Sequence, residues 1–244
     1  MKFLSNADLV SGWGFLKREV FILVWLILSL LLSMYLLGVL KNKGEKKSNI
    51  EKIFGLTSLI FSIYLLNGLV SKENKLKFVS GFTPPVFYSL FSNTNDCPLN
   101  LDCYKNFKAA REKAKSQNKP ILIDFTGWAC VNCRRVEEKI WSNLEVYDIL
   151  KNKFIISSLY VDDRKKLSPD ESFNFKFPDG RIKKIRTVGE KWSTFQLQNF
   201  NSASQPYYIM IHPNGRILNY PIQYTSSVNK YRNWLNKGLD NYGL

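Results

Sequence analysis

The sequence predicts an α/β domain carried behind a hairpin of two membrane-spanning helices. Three observations predict it. Residues 20–40 and 53–70 are uncharged over 21 and 18 positions, long enough to cross a bilayer as helices. Beyond them, short apolar runs with β-branched residues alternate with segments of helical period. Between one such run and the helix after it lies Cys130-Val131-Asn132-Cys133.

The membrane part comes first. A signal peptide is the plainer reading of Val20–Leu40, but the apolar stretch is too long and no small-residue cleavage site follows it. A second apolar span so soon afterwards points to a hairpin. Residues 1–19 read as an interfacial lead-in, with Trp13 suited to the headgroup level. The loop at 41–52 holds five lysines, more than Lys17 and Arg18 before the first span or Lys72, Lys75 and Lys77 after the second. The positive-inside rule therefore puts the loop in the cytoplasm and both ends outside it. The first 70 residues form the membrane segment, and 71–95 form a linker that Pro84-Pro85 keeps from being helical. Residues 96–244 form the α/β domain. All four cysteines fall in that last part, on the side of the membrane where disulfides persist.

Within the domain, Cys97 and Cys103 lie six positions apart in a loop and are expected to form a structural disulfide, a second redox pair or free thiols being the alternatives. Tyr104 to Asn118 reads as a helix with Phe107, Ala110 and Ala114 inward, stopped by Lys119-Pro120. Pro120 to Phe125 is a buried strand ending near Gly127. The helix from Cys130 towards Lys151 turns Val136, Ile140 and Trp141 to one face and Arg134, Glu138 and Lys139 to another, with a break near Ser142-Asn143. Phe154 to Asp162 is a second strand. Residues 163–187 read as an inserted hairpin around Pro178-Asp179-Gly180. A helix over 189–200, strands over 206–212 and 216–221 joined through Pro213-Asn214-Gly215, and a helix over 226–238 complete the chain.

Strand, Cys-x-x-Cys, helix is the thioredoxin signature. A cysteine at a helix N-terminus faces the positive end of the backbone dipole, which favours its thiolate, the form that attacks disulfides. Cys130 is thus the expected nucleophile, and Cys133 the resolving thiol one turn on. Asp124, six residues before Cys130 in an apolar strand, is expected beneath the turn, where burial would raise its pKa and let it exchange a proton with Cys133. A surface Asp at a strand end is the plain alternative. Glu137, four residues after Cys133, is expected to modulate the pair or else to be a solvated helix carboxylate. Gln205-Pro206 opens a strand beside the turn, and a cis bond there would free the strand start for substrate pairing. Trp128 is expected to shield the disulfide and offer a flat apolar contact. Four thiolates suit structural zinc in number, but the Cys97/Cys103 spacing departs from zinc sites, so no metal and no cofactor beyond the cysteine pair is expected. His212 is the one histidine and precedes a turn, which argues against a Cys–His hydrolase. Of the net charge of +15, +11 falls after residue 70 with no nucleic-acid motif beside it, so a nucleic-acid partner is not expected.

The run Asp124-Phe125-Thr126-Gly127-Trp128-Ala129-Cys130-Val131-Asn132-Cys133-Arg134-Arg135-Val136-Glu137 closely resembles the C-terminal domain of the DsbD family, the bacterial transmembrane thiol:disulfide interchange proteins. Leu159 to Asp163, Gln205 to Tyr208 and the lead-in from Leu4 to Tyr64 are similar to that family too. The resemblance implies a multi-pass inner-membrane protein with its thioredoxin-like domain in the periplasm. Reducing equivalents would pass from the cytoplasm through a membrane-embedded cysteine pair to periplasmic disulfide-bearing proteins, among them disulfide isomerases and cytochrome c maturation factors. It assigns Cys130 and Cys133 as the exchanging pair, Asp124 and Glu137 as the acids that tune it, and Pro206 as the cis-proline. The chain lacks that family's membrane cysteine pair and its N-terminal immunoglobulin-like domain. It is expected to be part of a longer protein, one product of a split gene, or a tethered domain supplied by another reductase. The competing readings are a disulfide oxidase or isomerase, and a non-catalytic binding module of a membrane complex.

Overall fold

The computed structural model describes residues 1–40, 48–70, 76–79, 82–91, 97–177 and 179–243. The chain divides into two compact units, Met1–Ser92 and Asn93–Leu244.

The first unit holds α1 (Lys2–Ser11), α2 (Arg18–Leu36) and α3 (Asn49–Val70). Helices α2 and α3 are both long and apolar enough to cross a membrane. Their sequence-predicted ends shift for local reasons. Gly38, with φ 75°, takes the left-handed conformation just past α2, so that helix stops at Leu36 rather than Leu40. The second span starts a turn early because Ser48 Oγ accepts from Ile50 N, while the Glu51 carboxylate accepts from Ser48 N. Small polar residues line the seam between the two helices. Ser33 Oγ donates to Gly55 O (2.9 Å), Ser58 Oγ to Ser29 O (2.9 Å) and Ser62 Oγ to Ser29 Oγ (2.9 Å), so every hydroxyl is satisfied inside the pair. Leu23, Ile27, Leu31, Ile53, Ile60 and Ile63 face outward, as lipid-facing side chains would. Much of the linker falls outside the described residues, as does most of the lysine-rich loop. Residues 82–91 return to the start of α2. Arg18 donates to Pro84 O (2.6 Å), Glu19 accepts from Leu90 N (2.7 Å) and Ser89 Oγ, and Tyr88 OH donates to the buried Asp8 (2.7 Å). The chain therefore enters α2 and continues after α3 at the same end of the helix pair.

The second unit is built on a four-stranded sheet in the order β1 (Cys103–Tyr104), β3 (Ile155–Tyr160), β2 (Ile121–Thr126), β6 (Tyr207–Ile211). The first three run parallel and β6 is antiparallel to β2. Every residue of β2 is buried, which explains why its sequence is an uninterrupted apolar run around Asp124. Its side chains alternate between two cores. Ile121, Ile123 and Phe125 pack towards α4 (Phe107–Gln117) and α7 (Val188–Phe200). Leu122 packs with Val136, Ile140 and Trp141, and with Tyr231 and Trp234 of α8 (Val228–Tyr242). That period of two turns Asp124 to the Leu122 side.

The remaining elements are α5 (Val131–Val136), a wide π-turn over Glu137–Trp141, α6 (Leu144–Lys153) and the hairpin β4 (Phe173–Lys176) with β5 (Ile182–Ile185). The break at Ser142-Asn143 is there, with Asn143 capping α6. The inserted hairpin is also there, although Pro178 lies outside the described residues. Two sequence expectations are corrected. Tyr104 belongs to β1 and the helix begins only at Phe107, because Asn106 Oδ1 accepts from Lys108 N and caps it. Residues 216–221 do not form a continuous strand. Leu218 N bonds Met210 O, yet Ile222 pairs with Tyr208, so the register slips by two residues at Asn219–Pro221. Asn219 Nδ2 turns aside to Trp234 O (3.0 Å), and Pro221 has no N–H to give.

Candidate active site

Strand β2 ends at Thr126, and the chain crosses Gly127–Ala129 to Cys130, the N-cap of α5. Cys130 is half-buried and its Sγ accepts from Cys133 N at 3.1 Å; Cys133 is fully buried. The two are joined as a disulfide, as are Cys97 and Cys103. A sulfur at an N-cap meets amides that have no intrahelical acceptor, the arrangement that favours a thiolate when the pair is reduced.

Asp162, just past the end of the neighbouring parallel strand β3, holds the crossing. Its carboxylate accepts from Trp128 N (2.8 Å) and Ala129 N (3.0 Å). Gly127 leaves room there, since a Cβ would stand 2.6 Å from Gln205 Oε1 and 2.9 Å from Asp162 Oδ2 and one of these side chains would have to shift. The Gln205–Pro206 bond is cis. Gln205 Oε1 lies against Gly127, and Phe125 pairs with Tyr207, so the start of β6 lies beside the turn that leads to Cys130. The Trp128 ring stacks on Tyr160 at 3.7 Å, and Lys105 Nζ lies 4.8 Å from the Trp128 centroid.

Beneath α5 lies a buried charged cluster. Asp124 is 1% exposed; Ser158 Oγ donates to its Oδ2 (3.2 Å), while Oδ1 has no hydrogen-bond partner among the described residues. Glu137 is 6% exposed and pairs with Arg134 at 2.7 Å. The expected face shared by Arg134, Glu138 and Lys139 is therefore corrected, since the last two are exposed and Arg134 is not. The guanidinium turns in to Glu137 and donates to Thr126 Oγ1 (3.2 Å), because a helix partner three residues on holds it there. Burial pushes the Asp124 pKa up to about 7, with Arg134 and Ser158 opposing it. Burial likewise pushes Glu137 up to about 8 against the pull of Arg134. Burial alone would lower the Arg134 pKa, but Glu137, Tyr160 and Asp124 carry it above its ordinary value. One guanidinium between two buried carboxylates is neutral with one proton aboard, so the pair titrates as a unit. Such a cluster can take up and return one proton near neutral pH.

The structure thus brings Cys130, Cys133, Trp128, Gln205 and Pro206 together beyond the C-terminal end of β2, with Asp124 and Glu137 below. Sequence reasoning singled out neither Asp162, Tyr160 and Lys105 nor the inward role of Arg134. Asp162 had one available signal: an acid at the C-terminal end of the next parallel strand falls beside the turn. Among the described residues no group of His, Cys, Asp or Glu side chains is placed to hold a metal.

The thioredoxin-like family model matches residues 102–178, from β1 to the inserted hairpin. The domain has a thioredoxin-like α/β fold. Among curated proteins, the thiol:disulfide interchange protein DsbD of Campylobacter jejuni is 22% identical over 161 residues, 65% of this chain and 27% of that protein. The chain thus spans about a quarter of the length of the relatives it matches. Among solved structures, a thioredoxin from Thermus thermophilus is similar at 14% identity and a TM-score of 0.42, over 59% of this chain and 90% of that one. A DsbH oxidoreductase is similar at 18% identity and a TM-score of 0.36, over 61% and 95%. The thioredoxin-like domain with its disulfide-forming cysteine pair marks the chain as thiol:disulfide oxidoreductase-like, related in sequence to DsbD.

Proposed function

We propose that the chain is a multi-pass bacterial inner-membrane protein that presents its thioredoxin-like domain to the periplasm and reduces protein disulfides there. The observation that carries the reading is Cys130 Sγ at a helix N-cap with Cys133 buried behind it and the Asp124–Arg134–Glu137 cluster below. In the reduced form, the Cys130 thiolate attacks one sulfur of a substrate disulfide. A mixed disulfide forms and the other substrate sulfur leaves as a thiolate that takes a proton. Cys133 then gives its proton to the carboxylate pair and attacks Cys130 Sγ, which releases the second substrate thiolate. That thiolate is protonated in turn. Substrate gains two electrons and two protons, and the domain is left with the Cys130–Cys133 disulfide. Gln205 and Pro206 open the strand beside which substrate backbone would lie, and Trp128 covers the turn.

Return to the dithiol needs a reductant, which we assign to a DsbD-type membrane module in the same or another chain. The lysine-rich loop at 41–52 supports a cytoplasmic loop, and the return of residues 82–91 to the start of α2 supports an exit on the other side. The Cys97–Cys103 disulfide is assigned a structural part, tying the approach to β1.

The test is a redox titration of Cys130 and Cys133 in the full chain, trapping thiols across dithiol buffers, beside a Cys130→Ser control. A midpoint near roughly −270 mV, or modestly above, supports reductant delivery, whereas one near about −120 mV would reverse the direction to disulfide formation. An untitratable pair would leave only the binding-module reading, and full reductase activity in Cys130→Ser would overturn the mechanism built on Cys130.

A further inference from the structure

The insertion between β3 and α7 is tied to the active-site turn at its start, and its return is tied to that start. Asp162, at its start, holds Trp128 N and Ala129 N. At its return, Gly189 N donates to Asp163 O (2.9 Å), and a Cβ on Gly189 would meet Val161 O at 2.7 Å. The insertion therefore leaves the sheet at the same end as Cys130, past the C-terminal ends of the parallel strands β2 and β3.

Its two faces differ. Strand alternation groups Phe175 with Ile185, both buried, and leaves Lys176, Ile182, Lys184 and Arg186 outward. Ile182 is 69% exposed, opposite Lys176 in the ladder. Three acids nearby are already engaged by other cations: Asp179 by Arg181 (2.6 Å), Glu190 by Lys183 (2.8 Å) and Glu171 by Lys191 (2.9 Å). Lys176, Lys184 and Arg186 have no ion pair among the described residues, so their charge acts outward. An exposed apolar side chain beside cations that have no ion pair suits an acidic surface with an apolar contact point.

We propose that the outer face of this hairpin docks acidic protein substrates and steers their disulfides to Cys130, an inference that rests on the disulfide-exchange reading above. A protein partner is favoured over a lipid surface because the insertion that carries the face starts at Asp162, which holds the turn before Cys130, and because the face adds an exposed apolar side chain, Ile182, to its charge.

The test uses the reduced full chain in phosphatidylcholine nanodiscs. The probes are short synthetic peptides, each with one disulfide, whose flanks are Asp and Glu, Ser and Gly, or Lys. Exchange with the acidic peptide should be about tenfold faster than with the neutral one at low salt, the advantage shrinking as salt rises. The variant Lys176→Glu/Lys184→Glu/Arg186→Glu should lose that advantage and favour the lysine peptide, with the neutral rate unchanged. These three side chains are exposed, so the change leaves the core alone. Equal rates across the wild-type peptide series would overturn the proposal, as would a variant that slows all three alike. So would a variant effect confined to nanodiscs of anionic lipid, which would assign the face to the membrane. Failure of exchange itself would show as a wild-type chain that reduces no peptide, including the neutral one.

Discussion

Replacing Asp124 by Asn isolates the cost of the buried carboxylate. In the unfolded chain Asp124 ionises near its ordinary 3.8, whereas burial in the folded domain raises the value to about 7. Between those values the folded state binds more protons than the unfolded one. Stability rises with pH only where the unfolded state binds more protons, so here it falls. The contribution is fully present below pH 3.8 and is lost as pH rises through 7. At 1.36 kcal/mol per unit, a shift from 3.8 to about 7 amounts to roughly 4 kcal/mol. Asn carries no charge, and its amide oxygen still accepts from Ser158. The gain from Asp124→Asn should be small below pH 3.8 and grow to about 4 kcal/mol above pH 7. For a domain of this size that is about 8–16 °C in Tm. Thermal unfolding of the oxidised full chain in detergent, followed by near-UV circular dichroism from acid to alkaline pH, reads it directly. A difference between parent and variant that does not change with pH, or a less stable variant at alkaline pH, would refute the reasoning. The same variant should exchange about 10²-fold more slowly, near the low end for a lost proton carrier because Glu137 remains.

Gly127→Ala forces a methyl group against Gln205 Oε1 and the Asp162 carboxylate that orders Trp128 N and Ala129 N. It should slow disulfide exchange by about tenfold, equivalent to about 1.4 kcal/mol in the barrier, and an unchanged rate would show that this turn is not held as described. Replacing both Cys97 and Cys103 by Ser opens a short loop that the disulfide closes, so stability should fall by about 2 kcal/mol with exchange rates within a fewfold of the parent. Chemical denaturation of that double variant beside the parent checks it. A complete loss of exchange would instead make this pair part of the redox path.

Much of the fold was legible because its signals are local. The apolar runs of β2 and β3, the break at Ser142-Asn143, and the hairpin inserted after β3 all follow from residues close in sequence. The residues 216–221 were not, because a strand-like pattern says nothing of a slip in register. That slip comes from Asn219 reaching Trp234 O, fifteen residues away. Asp162 and Arg134 escaped for the same reason. Each is an ordinary surface-type residue in its own segment and becomes part of the site only through a partner: the Trp128 and Ala129 amides for one, a guanidinium turned inward to Glu137 for the other.

The sequence by itself determined the two apolar spans, the thioredoxin-like order of elements and the placing of Cys130 at a helix start, since hydrophobic length, periodicity and the strand–turn–helix pattern are properties of contiguous residues. Tertiary structure alone decided which face of β2 carries Asp124, that Glu137 and Arg134 share its buried pocket, and that Asp162 orders the turn. Those depend on strand register and on the loss of water around charges brought together from separate segments, and desolvation is a property of the packed whole.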